Sequence, residues 1–334
     1  MIGVYVHSRS DLLRALPVVA DLRNRGDEVT MLVAGPLGEG LRPEGVRVEH
    51  LPRAEVAPST QPQSSGPEAE ALDLETRLAA LTWIERARPQ TLWVDGSPAM
   101  ALAAHLTGTP VVSTLPPGVR RDEPHILRCR SAQTLIGAWP PGMFPDTVAG
   151  IGVPVREVGG ISRFEQRSRA AGPPRRRPRI VHLNSAGMRG DHRFWRAVRT
   201  SALQMGPAEW VEMGGPDGIW HEDPWPELSS ADVVVTCGGQ STIADAACCD
   251  VPMVVVPRRH EYGEHDATAN AVGPLPGVAV MHYGDGPTAV ARTVCNQVDA
   301  ARSPGNVGIR ARWHVDGAAS RAAEVIRTVT STPA

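Results

Sequence analysis

The sequence predicts an α/β protein of two domains, each built on a parallel sheet that helices cover on both faces. Its length of 334 residues exceeds what one hydrophobic core usually holds. Apolar strand-like runs alternate with helical patterns along the N-terminal half, as parallel sheets require. In the C-terminal half, residues 231–257 have the pattern of a strand, a Gly-rich turn, a helix and a second strand. This order is that of a βαβ unit, so both halves are expected to form doubly wound sheets.

The first domain is predicted at residues 1–162. It opens with a strand, followed by a helix whose apolar residues recur on one face. Pro17 is expected to kink this helix, and Gly26 suits the position just after its end. The predicted strands cover residues 3–7, 28–33, 46–51, 91–94 and 110–113, with residues 132–138 and 155–158 finishing the domain. The predicted helices cover residues 11–25, 72–86 and 100–106.

Two segments have the composition of irregular chain. Residues 52–67 are rich in Pro, Ser and Gln, which is typical of a surface loop. Residues 163–179 are predicted to link the domains, and their run of three arginines indicates a solvated linker rather than a nucleic-acid patch. The second domain is predicted at residues 180–316. Its predicted strands cover residues 180–184, 210–213, 232–235 and 253–256, and its predicted helix covers residues 243–249.

Composition and charge exclude several classes of partner. The formal net charge of −2 gives no reason to expect nucleic acid or an anionic membrane surface. No apolar stretch reaches the ~18–20 residues of an integral membrane segment, and the N-terminus lacks the pattern of a secretory signal. The five cysteines are scattered and odd in number, which favours the cytoplasm over an oxidising compartment. Cys248 and Cys249 point to different helix faces, so no metal site is expected.

The Gly-rich turn before the helix at residues 243–249 predicts an anion site. Backbone N–H groups without helical partners converge at a helix N-terminus, together with the positive end of the helix dipole. Gly238 and Gly239 carry no side chain that would keep a phosphate away from the backbone. A buried diphosphate is the natural occupant of such a turn. The alternative is that the two glycines only form a tight connection between strand and helix.

The run Gly238, Gly239, Gln240, Ser241 and Thr242 resembles the nucleotide-sugar-binding turn of GT-B glycosyltransferases. The resemblance is to the group that contains the peptidoglycan GlcNAc transferase and the macrolide-type antibiotic transferases. It implies two Rossmann-like domains facing a cleft, with the donor bound mainly by the second domain. It implies that this turn holds the donor diphosphate. It also implies that the C-terminal segment, residues 317–334, forms a helix that packs back on the first domain.

The resemblance assigns roles to three acidic or basic residues beyond the turn. An acid three residues after the Thr grips the donor ribose, and Asp245 stands there in place of the usual, longer Glu. An acid–Gln pair holds the donor sugar, and here Glu264 is followed by His265 instead of Gln. The shorter side chain of Asp245 bears on how closely the ribose is held, and His265 bears on which sugar is bound.

Two further segments are placed near the donor by the same resemblance. The loop at residues 184–190 faces the donor phosphates, with Ser185 and Gly187 offering backbone N–H groups; the alternative is a flexible loop without a role. The segment at Trp220 and His221 passes beside the nucleobase, and the alternative is that the tryptophan only packs.

The catalytic base is where the sequence departs most from the family. Related transferases of actinobacterial type carry Gly-x-Gly-His before a Leu-x-Arg-Ala helix, and Ser8-Arg9-Ser10-Asp11 stands there instead. An acceptor hydroxyl must lose its proton as it attacks, so a base is expected at the end of an early strand. Asp11 and His7 are the two candidates, and Asp95 is expected to orient His7 or to bind the acceptor. The alternatives are that Asp11 only caps the helix and that His7 has no role.

The leading functional hypothesis, implied by the resemblance, is a metal-independent, inverting glycosyltransferase of specialised metabolism. It would move a sugar from a UDP- or TDP-linked donor to a small-molecule or peptide-like acceptor, with no cofactor besides this co-substrate. The alternatives are a catalytically impaired homologue that binds a nucleotide sugar or assists a partner, and an NDP-sugar hydrolase or epimerase. A dehydrogenase is disfavoured because no Gly-x-Gly-x-x-Gly follows the first strand. The sequence leaves a homodimer open.

Overall fold

The chain folds into two compact α/β units. The computed structural model describes residues 1–34, 43–52, 74–169, 175–184, 191–214, 221–259, 262–301 and 308–330. The first unit comprises Met1–Arg163 together with Gly317–Ala334, and the second comprises Phe164–Asp316. The division therefore falls at the start of the segment predicted as a linker, and most of that segment belongs to the second unit.

A parallel sheet forms the centre of the first unit. Its described strands are β1 (Ile2–Val6), β2 (Val29–Ala34), β3 (Arg47–Leu51), β4 (Thr91–Val94), β5 (Val111–Leu115), β6 (Thr134–Gly137) and β7 (Val155–Glu157). They pair in the order β3-β2-β1-β4-β5-β6-β7. In the register of the central pair, Tyr5 of β1 lies opposite Val94 of β4. Because parallel strands end at the same edge, this register brings His7 and Asp95 to one edge of the sheet.

The helices around this sheet are α1 (Arg9–Asn24), α2 (Leu74–Ala87), α3 (Pro98–Leu106), α4 (Glu123–Ser131), α5 (Pro145–Val148) and α12 (Ala318–Thr330). The first of them begins two residues before its predicted start, because Ser8 caps it. It continues as one helix through Pro17. α4 was not predicted, since its apolar positions do not form one stripe.

The C-terminal helix α12 belongs to the core of the first unit. Its buried residues share a hydrophobic cluster with those of α1 and of the central strands. The contacting side chains of α12 are mostly alanines, among them Ala318, Ala322 and Ala323, all fully buried. Small side chains let two helices approach closely, so the end of the chain packs against its first helix.

The second unit has a smaller parallel sheet. Its described strands are β8 (Arg179–Leu183), β9 (Glu209–Met213), β10 (Val233–Thr236), β11 (Met253–Val255) and β12 (Val278–Val280), in the order β12-β11-β10-β8-β9. Its helices are α6 (His192–Met205), α7 (Trp225–Ser229), α8 (Gln240–Ala247), α9 (Glu264–Val272), α10 (Pro287–Ala301) and α11 (Ile309–Arg312), with a single 3-10 turn at Tyr283–Asp285. Among the described residues, no helix of either unit is long and apolar enough to cross a membrane.

Candidate functional site

The Gly-rich turn of the second unit connects β10 to α8 at the carboxyl edge of the sheet, where open α/β sheets bind ligands. Gly238 has a φ of +87°, a left-handed conformation that favours glycine. Gly239 is the N-cap of α8, with extended backbone angles and no side chain to cap the helix. The N-terminus of α8 is thus bordered by two glycines and lacks a capping side chain.

The helix begins earlier than the sequence suggested. Residues 240–242 were predicted to lie in the turn, but Gln240, Ser241 and Thr242 form the first turn of α8. Two polar atoms of this first turn are buried and make no hydrogen bond in the described part of the chain: Gln240 Nε2 and Ser241 Oγ. Two unpaired buried polar atoms beside an uncapped helix N-terminus are a feature that a polar ligand would satisfy.

The first turn of α9 packs directly on the two glycines. A Cβ atom placed on Gly238 would lie 3.2 Å from the backbone oxygen of His265. One placed on Gly239 would lie 3.4 Å from Thr242 Oγ1 and 3.7 Å from His265 Nε2. The imidazole of His265 therefore stands next to the turn, and Glu264, the first residue of α9, precedes it. The structure brings the residues predicted for the diphosphate and for the sugar into one place.

Asp245 lies on α8, three residues after Thr242 and so on a neighbouring face of the helix. It is 7% exposed, and its backbone oxygen is 3.8 Å from Cys249 Sγ. Burial raises the pKa of the Cys249 thiol, with Cys248 and Asp245 adding to the effect. This thiol stays protonated at neutral pH, which makes it a packing residue rather than a nucleophile.

Of the other residues predicted near the donor, Ser185, Gly187 and Trp220 lie outside the described residues. His221 is described and exposed. The strand β8, which precedes residues 185–190, ends in a buried polar network. Asn184 Nδ2 donates to Glu212 Oε1 at 2.7 Å, and His182 Nδ1 lies 2.9 Å from the same oxygen. Burial raises the pKa of Glu212, but its contacts with His182 outweigh this and hold it below its ordinary value.

At the corresponding edge of the first unit, His7 and Asp11 are in contact. His7 Nδ1 lies 3.1 Å from Asp11 Oδ2. The geometry is not that of an aligned hydrogen bond, and His7 Nδ1 has no hydrogen-bond partner among the described residues. Asp11 and Ser8 also form a capping box: the N–H of Ser8 donates to Asp11 Oδ2 at 3.0 Å, and the N–H of Asp11 donates to Ser8 Oγ at 3.2 Å. Asp11 is buried, and its carboxylate contacts both the N–H of Ser8 and the imidazole of His7.

Asp95, expected to orient His7 or to bind the acceptor, is held by Arg14. Arg14 Nη1 donates to both carboxylate oxygens of Asp95 at 2.7 Å. Asp95 is 2% exposed. Burial raises the pKa of its carboxyl group above the ordinary value, while Arg14 opposes the rise and Asp11 adds to it. The carboxylates of Asp11 and Asp95, the guanidinium of Arg14 and the imidazole of His7 form one electrostatic group at this edge.

The roles of Ser8 and Arg14 at this edge were not predicted from the sequence. Ser8 and Asp11 match the Ser-x-x-acid spacing of a capping box, a signal that is readable from the sequence. Arg14 lies in a Leu-Leu-Arg-Ala run that matches the helix of the family, but no sequence pattern indicates a partner 81 residues away. Among the described residues, no group of three His, Cys, Asp or Glu side chains is placed to hold a metal ion.

The chain is similar over its whole length to solved glycosyltransferase structures. It matches the glycotransferase of kitacinnamycin with a TM-score of 0.71 and 18% identity, covering 98% of both chains. It matches MurG of Acinetobacter baumannii with a TM-score of 0.65 and 16% identity, covering 98% of this chain and 99% of that one. It matches the Streptomyces sp. SF2575 glycosyltransferase SsfS6, complexed with thymidine diphosphate, with a TM-score of 0.64 and 18% identity over 99% of both chains.

No protein-family model and no curated protein matches the sequence. At the identities of the matching structures, the likeness establishes the fold. The predicted fold class is confirmed, since two parallel sheets with their helices align over the full length. The chain has the α/β fold of the GT-B glycosyltransferases.

Proposed function

We propose that the protein is a glycosyltransferase that takes a sugar from a UDP- or TDP-linked donor. The observation that carries the proposal is the N-terminus of α8, bordered by Gly238 and Gly239, without a capping side chain, and flanked by unpaired Gln240 and Ser241. Backbone N–H groups at such an end bind a diphosphate without any side-chain charge. Similar structures include one that is complexed with thymidine diphosphate and one of a UDP-glucosyltransferase from Polygonum tinctorium, which supports this donor class.

Different residues around this turn bind different parts of the donor. The turn and the first N–H groups of α8 hold the diphosphate, and Asp245, farther along the same helix, accepts hydrogen bonds from the ribose hydroxyls. Glu264 and His265 hold the sugar. As the C1–O bond breaks, negative charge develops on the diphosphate, and the helix dipole stabilises that charge in place. No metal ion is needed in this scheme.

In the first unit, His7 serves as the base. A hydroxyl oxygen of the acceptor attacks C1 of the sugar from the face opposite the diphosphate, and its proton passes to His7 Nε2. The product is a glycoside of inverted configuration, and the nucleoside diphosphate leaves with the electron pair of the broken bond. Asp11 contacts His7 Nδ1 and so fixes which nitrogen faces the acceptor. Because Asp11 already accepts from Ser8, it is the positioning residue and not the base.

The acceptor is a small molecule or peptide-like compound of specialised metabolism. Support for this class comes from the similarity to the kitacinnamycin glycotransferase and to the spinosyn forosaminyltransferase SpnP. The latter matches with a TM-score of 0.71 and 14% identity. The inverting course is proposed from the resemblance to the family, and the place of the base from the position of His7 after β1.

The test is calorimetric titration with UDP, TDP and GDP, followed by incubation with the sugar conjugates of the tightest binder. Binding, followed by nucleotide release that an acceptor extract stimulates, supports the transferase. Release at the same rate without any acceptor identifies a hydrolase. Binding with no release under either condition identifies an impaired, nucleotide-sugar-binding homologue. The absence of binding by all three nucleotides would remove the donor site itself.

A further inference from the structure

A buried arginine of the first unit has no anionic partner. Arg128, on α4, is 1% exposed. Its Nη1 donates to the backbone oxygen of Gly96 at 3.1 Å. Its Nε and Nη2 atoms are buried and make no hydrogen bond within the described residues. A guanidinium group carries five N–H donors and cannot lose its charge in a protein. The structure therefore holds a cation whose charge nothing in the described chain neutralises.

Arg14 of the same unit has the partner that Arg128 lacks. Its side chain is 13% exposed, and it donates to both oxygens of the Asp95 carboxylate. A buried charge without a partner is strongly unfavourable, and proteins normally pair it or bind a counter-ion. The charge on Arg128 is thus explained if a ligand supplies the missing anion.

The surroundings of Arg128 contain groups of both signs, among them Asp122 and Arg120 near His125 and the buried Asp95 that precedes Gly96. Gly96, which accepts from Arg128, immediately precedes Ser97, the N-cap of the nine-residue helix α3. The positive end of that helix dipole therefore lies near the guanidinium. On α4, burial lowers the pKa of His125, and Arg128 and Arg120 act in the same direction while Asp122 opposes them. Asp122 itself is 2.5 Å from His125 Nδ1.

This cation is close to the proposed base. A Cβ atom on Gly96 would lie 3.9 Å from His7 Cε1. Gly96 is partly exposed; the position a side chain would take there faces His7, and the carbonyl oxygen accepts from Arg128. An anionic group held at Arg128 would belong to a molecule that also reaches His7.

We propose that Arg128 binds an acidic group, a carboxylate or a phosphate, of the acceptor, and that the acceptor is consequently an anionic hydroxy compound. The anion site stands on the burial and missing partner of Arg128 alone. Its assignment to the acceptor rests on the proposed function, in which His7 takes the proton of the acceptor hydroxyl. A planar guanidinium whose Nε and Nη2 both lack a partner among the described residues suits the paired oxygens of either anion.

The experiment measures thermal unfolding of the full chain against increasing benzoate or inorganic phosphate, with chloride keeping the ionic strength constant. The wild type should show a saturable rise of about 3 °C or more at about ten times the dissociation constant. Arg128→Met should abolish this rise, and without added anion it should melt no lower than the wild type. The control Arg130→Met removes an equal charge from an exposed position of the same helix and should keep the full rise.

The two anions distinguish the sources of the acidic group. A response to benzoate alone indicates a carboxylate acceptor, and a larger response to phosphate indicates a phosphorylated one. A phosphate response that survives Arg128→Met but disappears in Gly239→Ala belongs to the donor turn. An undiminished benzoate response in Arg128→Met overturns the proposal, as does a wild type that shows no saturable response to either anion.

If Arg128→Met does not fold, Arg128→Lys keeps the charge but loses the paired geometry, and it should weaken anion binding about tenfold. Equal affinity in that variant would also refute the site. Failure of nucleotide binding would remove the proposed function while leaving the anion result in place. Failure of anion binding with intact nucleotide binding would remove only the acceptor class.

Discussion

His7 Nδ1 lies 3.1 Å from Asp11 Oδ2, and the same carboxylate oxygen accepts the N–H of Ser8 at 3.0 Å. One carboxylate therefore caps α1 and contacts the histidine that directly follows β1. The sequence presents these two residues as rival bases, but the structure shows them as a pair. A base with a carboxylate behind it is a recurrent arrangement for proton abstraction.

His7→Gln should lower turnover by about 10²- to 10⁴-fold, because the group that accepts the proton is lost. Nucleotide affinity should not change, since the donor turn belongs to the second unit. Turnover and calorimetric binding are measured in parallel on the same preparation. His105→Gln, an exposed histidine at the end of α3, is the matched control and should have wild-type turnover. Wild-type turnover in His7→Gln would mean that another residue is the base.

Asp11→Ala and Ser8→Ala each break the capping box and should each destabilise the protein by about 1 kcal/mol. Only Asp11→Ala also removes the contact to His7, so it alone should reduce turnover further than its loss of folded protein explains. Urea unfolding and turnover per folded molecule separate the two effects. Equal turnover of the two variants would restrict Asp11 to capping.

Gly238→Ala should mainly lower stability, whereas Gly239→Ala should mainly weaken nucleotide binding. Gly238 has a φ of +87° and its added Cβ would crowd the His265 backbone oxygen at 3.2 Å, so this variant should lose about 1–3 kcal/mol of stability. Gly239 has ordinary backbone angles and looser contacts, so its variant should fold normally. Its methyl group should nevertheless weaken UDP or TDP binding by occupying the space of the diphosphate. Unfolding and calorimetry measure both, and tight binding by Gly239→Ala would argue against the turn as the phosphate site.

Asp245→Asn should weaken UDP binding about tenfold, the loss expected for hydrogen bonds to a charged acceptor. It should also reduce the preference for UDP over the 2′-deoxy nucleotide, because the carboxylate is proposed to read the ribose hydroxyls. Asp299→Asn, an exposed acid on α10, controls for the change in net charge. An undiminished preference for the ribonucleotide would assign the ribose contact to another residue.

Arg14→Met should destabilise the protein at neutral pH and less so in acid. Burial raises the pKa of Asp95, so the folded state favours its protonated form, and Arg14 opposes that rise. The stability gained by protonation is fully present below the unfolded pKa of aspartate and is lost as pH rises through the folded pKa. Without Arg14 the folded pKa rises further, and a buried carboxylate stands unpaired at neutral pH, which costs about 3 kcal/mol or more.

Urea unfolding of Arg14→Met at pH 5 and pH 7.5 measures this difference, and Arg14→Met combined with Asp95→Asn should lose the dependence on pH. Arg86→Met breaks an exposed pair with Glu49 and serves as the surface control, with an effect within about 1 kcal/mol at both values. A loss that is the same at both pH values would show that Asp95 is not the titrating group.

Local patterns in the sequence were enough to predict the central strands and the Gly-rich turn between β10 and α8. Strands such as β4 and β10 are short, wholly buried apolar runs, and their pattern depends on the residues inside them. The Gly-Gly turn between strand and helix is likewise a local motif, and the fold class followed from the alternation of such units. Helix boundaries were predicted less accurately. α1 starts two residues and α8 three residues before the predicted position, since Ser8 and Gly239 are the N-cap residues of these helices.

Tertiary structure alone decided which distant residues meet. His265 stands over Gly239, Arg14 pairs with Asp95, and Arg128 is buried at Gly96 without an acid. None of these contacts can be predicted from the spacing of residues in the sequence, because each depends on the register of parallel strands and on the packing of helices against them. The sequence by itself determined most of the helices and strands and the local Gly238–Gly239 turn. Long-range packing determined the charges and contacts, and with them which candidate residues can act together.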